Sequence, residues 1–280
     1  MTNENIELHD NKSKKLSFEI ENADIKELTT LGAAEYFKRE FPDLNHSFSE
    51  KQKCVCCMDE GTAHKDINGE VKFAFAGSGI LFPASSEEER LKKVANILIE
   101  RGVTNITSHG GCGAAGLAYH RDFPDVGAKE NLAEKIEAYA KAWSDKLADK
   151  IKELGHPAER THIMAEDMER PTEFHNARVV YFDGVGGFNP NKEIGLPMGF
   201  VIERAYLPSE YTAEELKVAV NIAFGHHGFG ELFSSDLPFI IIALAKSGEE
   251  LYKLKNEILS VLSDNENLSG GKIKVDGLTV

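Results

Sequence analysis

Residues 53–61 (KCVCCMDEG) and 103–113 (VTNITSHGGCG) are the two stretches that decide the fold class. Each begins with a short run of apolar or β-branched residues, of the length of a buried strand, and ends in acidic or glycine residues. Between them, residues 87–101 predict a helix, because three acids from Glu87 onward occupy its first turn and apolar residues follow on one side. Strands that alternate with helices indicate an α/β fold with a mainly parallel central sheet.

The same pattern extends toward both ends of the chain. Residues 1–24 are polar and poor in aromatic residues, so we expect a loose arm with little structure. Residues 25–280 contain no linker or low-complexity segment, which indicates a single α/β domain with a C-terminal elaboration from about residue 200. Further strands are predicted at 71–76, 177–182 and 238–244, and further helices at 25–41, 127–154, 213–224 and 248–263.

The charge balance excludes one large class of partners. The 280 residues include 32 Lys and Arg against 46 Asp and Glu, a formal net charge of −14, whereas nucleic-acid binding needs clustered cations. No uncharged apolar run reaches the roughly 18 residues of a membrane span, and the polar N-terminus resembles neither a secretory signal nor a transit peptide. We therefore expect a cytoplasmic protein that acts on a small molecule, without nucleic-acid or membrane partners.

Four cysteines, three of them crowded into residues 54–57, indicate thiolate chemistry or metal ligation in a reducing compartment. Cys57 and Asp59 come at the end of the first predicted strand, and His109 and Cys112 follow the third. Because ligands bind beyond the carboxyl ends of parallel strands, these four residues can converge in one crevice. Two thiolates and one imidazole suit zinc, with the fourth coordination position left open or taken by a carboxylate.

Other interpretations of the cysteines stay open. We interpret Cys54 as a buried apolar residue, and Cys56 faces the side of its strand opposite to Cys57, which makes it a poor ligand. A chance clustering of Cys57, His109 and Cys112 is the alternative to a metal site. A thiol-redox protein is disfavoured, because the crowded cysteines end a strand and do not open a helix.

CMDEG at 57–61 and HGGCG at 109–113 resemble the C-x-D-x-R and H-x-x-C motifs of the beta-class carbonic anhydrases. The strand and turn at 73–79 (FAFAGSG) and at 177–187 (ARVVYFDGVGG) also resemble segments of that family. The resemblance covers about residues 30–190. It implies a beta-carbonic-anhydrase-like fold and a homodimer or larger oligomer with the active site near the subunit interface.

The resemblance also implies a role for each site residue. Cys57, His109 and Cys112 would hold Zn²⁺, which lowers the pKa of a bound water to about 7 and makes hydroxide available to attack carbon dioxide. Asp59 would accept a hydrogen bond from that hydroxide and orient it. The backbone N–H of Gly113 would contact a substrate oxygen, and the product would be bicarbonate.

The arginine of the family motif is replaced here by Gly61. In the family, that arginine pairs with the aspartate and holds it away from the metal. Without it we expect Asp59 to bind zinc as a fourth ligand in at least one state, in which case Gly61→Arg should open the site. The alternative is that another cation, such as Lys65, Arg101 or Arg121, reaches Asp59.

Three functions follow from these alternatives. The first is the reversible hydration of carbon dioxide to bicarbonate. The second is the hydrolysis of carbonyl sulfide or carbon disulfide on the same scaffold, since hydroxide attacks those cumulated carbons by the same chemistry. The third is a non-catalytic, carbonic-anhydrase-like zinc protein whose metal site is closed by Asp59.

Overall fold

The computed structural model describes residues 3–124 and 131–280. The helices in those residues are α1 (Asn3–Ile20), α2 (Asn22–Leu31), α3 (Ala33–Glu40), α4 (Glu60–Ala63), α5 (Glu87–Arg101), α6 (Gly113–Asp122), α7 (Leu132–Glu153), α8 (Ser209–Phe224), α9 (Gly248–Val261) and α10 (Glu266–Ser269). The strands are β1 (Cys54–Cys56), β2 (Lys72–Ala74), β3 (Asn105–His109), β4 (Glu159–Ile163), β5 (Val179–Asp183), β6 (Gly199–Glu203), β7 (Phe239–Ala245) and β8 (Ile273–Thr279). The predicted α/β class is confirmed, and these strands pair in parallel.

The strands form two sheets, where the sequence predicts one central sheet. Their order is β2-β1-β3-β4 in the first sheet and β6-β5-β7-β8 in the second. Strands β2 and β6 lie near each other where the sheets meet, and the Val201 N–H donates to the Met58 carbonyl oxygen at 3.1 Å. The segment interpreted from sequence as a C-terminal elaboration therefore supplies β6, β7 and β8, three of the four strands of the second sheet.

Alternate residues of the central strands face different apolar layers. In β5, Val180 and Phe182 belong to a core shared by both sheets, whereas Val179 and Tyr181 pack in a second cluster with α2 and α3. This alternation follows from the pleat of a strand. Because both faces are covered, the central strands are nearly continuous apolar runs, which is why the sequence alone reveals them.

Two predicted helices have different bounds in the structure. The predicted helix 25–41 is divided into α2 and α3, because Gly32 between them adopts a φ of +82°, a left-handed conformation that ends the first helix. The predicted helix 127–154 corresponds to α7, which begins at Leu132. Residues 127–130 of that prediction lie outside the described residues.

The N-terminal segment also differs from its prediction. Residues 1 and 2 lie outside the described part, but most of the expected loose arm is the helix α1. Phe18 near its end packs edge-on against Phe229 and Phe233, and the Arg178 guanidinium lies 3.6 Å from the centre of the Phe18 ring. Phe18 thus anchors the C-terminal end of α1.

The sequence did not reveal β4, β6 and β8. The edge strands β4 and β8 are partly exposed, and their charged and apolar residues are mixed. Such segments lack the continuous apolar run of a buried strand. None of the helices in the described ranges is both long and apolar enough to cross a bilayer.

Candidate metal centre

The three residues predicted as metal ligands lie together at the carboxyl end of the first sheet. Cys57 follows β1, His109 ends β3, and Cys112 directly precedes α6. Their Sγ and ring-nitrogen atoms lie within 4.8 Å of one another, and all three side chains are buried. The fold therefore assembles two sulfurs and one imidazole nitrogen from two separate stretches of the chain.

The His109 ring is oriented as a metal ligand would be. Its Nδ1 lies 3.0 Å from the Gly110 carbonyl oxygen, whereas its Nε2 is buried and has no hydrogen-bond partner in the described structure. A histidine that binds a metal through one ring nitrogen usually donates the other N–H to a carbonyl or carboxylate. The unpartnered Nε2, facing two thiols, fits zinc.

A backbone N–H group donates to the sulfur of each cysteine. The Cys57 Sγ accepts the Gly77 N–H at 3.2 Å, and the Cys112 Sγ accepts the Ala115 N–H at 3.5 Å. The hydrogen bond between the two thiols lowers the pKa of Cys112 and raises the pKa of Cys57. Cys112 is therefore the first of the two to become a thiolate.

Asp59 is bound to an arginine that the sequence did not indicate. Its Oδ1 accepts hydrogen bonds from Arg170 Nε at 3.0 Å and from the Gly61 N–H at 2.9 Å, and its Oδ2 lies 3.6 Å from His175 Nδ1. Burial raises the pKa of this carboxyl, but the charges of His175 and Arg170 outweigh burial and lower the pKa to about 2. Asp59 is therefore ionised at neutral pH.

Arg170 takes the place for which the sequence suggested Lys65, Arg101 or Arg121. In the described structure none of those three makes an ion pair or hydrogen bond with Asp59, whereas the Arg170 and Asp59 side chains are each only 5% exposed. Arg170 lies 111 positions further along the chain. The expected direct bond from Asp59 to zinc is opposed by this buried ion pair.

Gly61 makes room for that arginine. A Cβ at this position would lie 2.6 Å from Arg170 Cγ and 2.8 Å from Met168 Cε, closer than real Cβ atoms approach other atoms. A side chain at position 61 and the observed Arg170 therefore exclude each other. The expected benefit of Gly61→Arg is replaced by a steric conflict with an arginine that is already in place.

Glu60 and His175 form a second ionic group next to Asp59. Glu60 is fully buried and accepts hydrogen bonds from His175 Nδ1 at 3.1 Å and from the Asn176 N–H at 2.9 Å. Burial lowers the pKa of His175, but the charges of Glu60 and Asp59 outweigh burial and raise it. The three side chains are close enough to hold a metal ion. Because Arg170 already neutralises Asp59, we interpret this group as a buried ionic network that positions Asp59.

Two residues of α8 lie near Cys57, His109 and Cys112, which together are called the metal group below. Helix α8 belongs to the second half of the chain, the half that forms the second sheet. The Glu215 Oε1 accepts the Ala76 N–H at 2.8 Å, and the next residue, Gly77, donates to Cys57. The Tyr211 hydroxyl and the Glu215 Oε2 are buried and have no hydrogen-bond partner in the described structure. Burial raises the pKa of Glu215 to about 8, so this acid is protonated at neutral pH.

Tyr211 stands in an aromatic wall beside the metal group. Its ring centre lies 5.4 Å from that of Phe75 and 5.2 Å from that of Phe82. Burial raises the pKa of its hydroxyl, the neighbouring Glu215 raises it further, and the charges of Cys57 and Cys112 contribute in the same direction. The sequence carried one signal for this region, because Glu215 interrupts the apolar face of the predicted helix 213–224.

The remaining predicted site residues separate into two places. Gly113 is exposed at the first position of α6, so its backbone N–H lies directly after the ligand Cys112. Cys54 and Cys56 lie in a separate apolar cluster with Met168, and burial raises the pKa of both thiols. Neither belongs to the metal group.

No protein-family model, curated protein or solved structure matches this chain. The resemblance at 57–61 and 109–113 therefore depends on the motifs and on the geometry described above.

Proposed function

We propose that this protein is a zinc-dependent carbonic anhydrase, which interconverts carbon dioxide and bicarbonate. The observation that carries the proposal is that a group of three candidate zinc ligands lies beside an ionised acid. The group is the buried Cys57, His109 and Cys112 with its unpartnered ring nitrogen, and the acid is Asp59, held beside it by Arg170. A purely structural zinc site is closed by four protein ligands and needs no oriented acid.

Zinc held by the three ligands would keep a fourth position for water and lower the pKa of that water to about 7. Asp59 is suited to orient the attacking oxygen, because it is ionised and two hydrogen bonds fix its Oδ1. Its Oδ2 remains to accept a further hydrogen bond. The Gly113 N–H, at the exposed start of α6, is available to a substrate oxygen.

Tyr211 and Glu215 add two hydrogen-bond donors on the side of α8. The Tyr211 hydroxyl and the protonated Glu215 lie beside each other without a well-aligned hydrogen bond between them, so a bound water or substrate oxygen that accepts from them is favoured. Donors of this kind suit bicarbonate, which carries its negative charge on oxygen. Because α8 belongs to the second half, that half takes part in the site.

The structure disfavours one of the two alternative functions and is equally compatible with the other. The non-catalytic alternative depends on Asp59 closing the metal site, and the Arg170 ion pair disfavours that arrangement. Hydrolysis of carbonyl sulfide or carbon disulfide would use the same residues. Cytoplasmic location and the expected homodimer remain predictions.

The test combines metal analysis with stopped-flow hydration of carbon dioxide. We expect wild-type protein to hold about one zinc per chain and to hydrate carbon dioxide at a rate that rises through about pH 7 to 9. Cys57→Ala and His109→Ala should lose both properties, whereas Cys56→Ala, which changes a neighbouring buried cysteine outside the metal group, should keep them.

Two results would overturn this proposal. Zinc-loaded protein whose hydration rate equals the buffer background would support the non-catalytic alternative. Faster turnover of carbonyl sulfide or carbon disulfide than of carbon dioxide would assign the site to that hydrolysis.

A further inference from the structure

The second half of the chain repeats the register of the first. Cys54 of β1 lies beside Asn105 of β3, and Val179 of β5 lies beside Ile240 of β7. Both sheets also have the same strand order. In each, the strand that comes second in the sequence lies at one edge beside the first, and the third and fourth strands follow on the opposite side of the first. Matching Val179 with Cys54 and Ile240 with Asn105 therefore aligns the two sheet edges residue by residue.

The loops beyond the third strands support this alignment. It matches Gly113 with Gly248, and each glycine is the first residue of the helix that follows. It matches Cys112 with Ser247, and each side chain accepts the backbone N–H of the third residue further on. The carboxyl edge of the second sheet is thus the counterpart of the metal centre.

The proposed metal ligands have no equivalent at this second edge. The matching positions hold, in the same order, Phe182, Leu244 and Ser247. An apolar ring, an aliphatic chain and a hydroxyl do not form a zinc site. A function at this edge must use other chemistry.

A cavity of about 460 Å³ lies at this second edge. Gly186 after β5, Tyr206 after β6 and Lys246 after β7 line it, and Arg101 at the end of α5 reaches it from the first half. In parallel sheets, ligands bind beyond the carboxyl ends of strands at the point where the strand order reverses. Here β5 is that point, because β6 and β7 flank it.

The cavity carries three cations that lack ion pairs. Within the described residues, no carboxylate oxygen lies within 4.0 Å of the charged groups of Lys51, Arg101 or Lys246. The Arg101 guanidinium lies 4.0 Å from the centre of the Tyr206 ring, a stacking contact that restricts its orientation. An arginine fork held in this way is suited to a planar anion.

Four acids near the cavity reduce its positive charge only in part. Glu50 and Glu100 line it and are exposed, as are Lys51 and Lys246, so solvent screens all four and the less exposed Arg101 is the principal charge. Asp183 and Glu203 lie beneath it, fully buried, and burial raises the pKa of Asp183 to about 6 and the pKa of Glu203 well above its usual range. At neutral pH that pair therefore carries less negative charge than two fully ionised acids would.

We infer that this cavity is a binding site for a small carboxylate anion. The Arg101 guanidinium, which lies over the Tyr206 ring, is a planar donor that suits the two oxygens of a carboxylate, and Lys51 and Lys246 add positive charge. The site is separate from the metal centre and does not depend on the function proposed for it. The second sheet thus has a candidate ligand site at the same edge as the first sheet, with residues that suit another kind of ligand.

The experiment is a calorimetric titration of the full zinc-loaded protein with acetate and malonate, with phosphate and chloride as comparisons. We expect saturable binding of the carboxylates that Arg101→Gln weakens at least about tenfold and Lys246→Gln about threefold. Arg101→Lys, which keeps the charge but not the fork, should fall between Arg101→Gln and wild type. Lys253→Gln is the matched control, because Lys253 pairs with Glu249 on α9 outside the cavity.

Three outcomes would overturn the inference. The first is the absence of saturable carboxylate binding, and the second is equal weakening by Lys253→Gln, which would mean general charge attraction. The third is phosphate or chloride binding as tightly as the carboxylates. Should Arg101→Gln not fold, the exposed Lys246→Gln and the conservative Arg101→Lys provide the decision. Zinc content, measured on every variant, separates this site from the metal centre.

Discussion

Asp59 and Asp183 are buried carboxylates at matching edges of the two sheets, yet their pKa values are shifted in opposite directions. Each accepts the backbone N–H of the residue two positions further on, at 2.9 Å. The charges of His175 and Arg170 outweigh burial at Asp59 and lower its pKa to about 2. At Asp183 burial dominates and raises the pKa to about 6, beside a second acid, Glu203.

Burial raises the pKa of both acids, so the difference comes from the cations beside them. Arg170 and His175 overcome burial at Asp59, whereas the charge of Lys246 does not overcome it at Asp183. At neutral pH, Asp59 is therefore a fixed hydrogen-bond acceptor beside the candidate metal ligands. Asp183 and Glu203 form a partly protonated pair beneath the cavity that Arg101 lines.

The largest expected effect is on zinc content, which should depend on the edge of the first sheet and not on the matching edge of the second. Cys112→Ala should reduce bound zinc from about one per chain to a small fraction, since cysteine–zinc sites gain about 10–16 kcal/mol from the metal. Ser247→Ala at the matching position should keep the zinc and cost about 1 kcal/mol as a lost helix cap. Elemental analysis after dialysis checks both. Equal zinc content in the two variants would remove the distinction between the edges.

The next effect tests the cation beside Asp59. Arg170→Gln should lower the free energy of unfolding by about 3–5 kcal/mol, because it leaves a buried charge without its partner. Arg121→Gln is the control, since its ion pair with Asp122 is partly exposed and worth at most about 1 kcal/mol. Urea unfolding of both proteins measures the difference.

The same variant has a predicted dependence on pH. The pKa of Asp59 is lowered in the folded state, so its stabilising contribution is present above the unfolded pKa of about 4 and is lost as the pH falls toward about 2. Arg170→Gln should therefore lose less stability than wild type over that acid range. A parallel acid unfolding curve for the two proteins would contradict the assignment of Arg170.

A smaller effect concerns the space at position 61. Gly61→Arg should cost about 1–3 kcal/mol, because its Cβ would overlap Arg170 and Met168. Adding Arg170→Gly to that variant should restore part of the lost stability and of the hydration rate, as one arginine replaces the other beside Asp59. Gly248→Ala is the control, since a Cβ there meets nothing within 4 Å. No rescue in the double variant would contradict the exchange.

The fourth effect concerns the acid pair of the second edge. The pKa of Glu203 is raised in the folded state, so its penalty to stability is absent below the unfolded pKa of about 4 and grows with pH by at most about 1.4 kcal/mol per unit. Glu203→Gln should therefore become more stable relative to wild type between pH 5 and 8. Urea unfolding over that range provides the measurement, and a constant difference would refute the shift.

The smallest expected effect on stability belongs to Tyr211. Tyr211→Phe removes a buried hydroxyl whose one neighbouring polar side chain, Glu215, is not well aligned with it, so the free energy of unfolding should change by less than about 1 kcal/mol. The rate of carbon dioxide hydration should nevertheless fall several-fold if that hydroxyl donates to the substrate. Tyr252→Phe, at an exposed position on α9, is the control for both measurements.

Local sequence pattern was sufficient for the central strands and the three proposed ligands. β1, β5 and β7 are covered on both faces, so their apolar runs are visible without any knowledge of their neighbours, and β3 is marked by its β-branched residues Ile106 and Thr107. The proposed ligands lie at the ends of two such strands, Cys57 directly after β1, His109 as the last residue of β3 and Cys112 three residues later. Because parallel strands end at one edge of a sheet, their meeting could be predicted.

Tertiary structure alone decided which groups surround those ligands and how the strands divide. Arg170 reaches Asp59 from a loop 111 positions away, and Glu215 reaches Ala76 from a helix 139 positions away. No periodic pattern connects such residues, because their contact depends on the packing of whole elements against each other. The partly exposed edge strands and the division into two sheets likewise arise from pairing between distant segments, which local propensity does not encode.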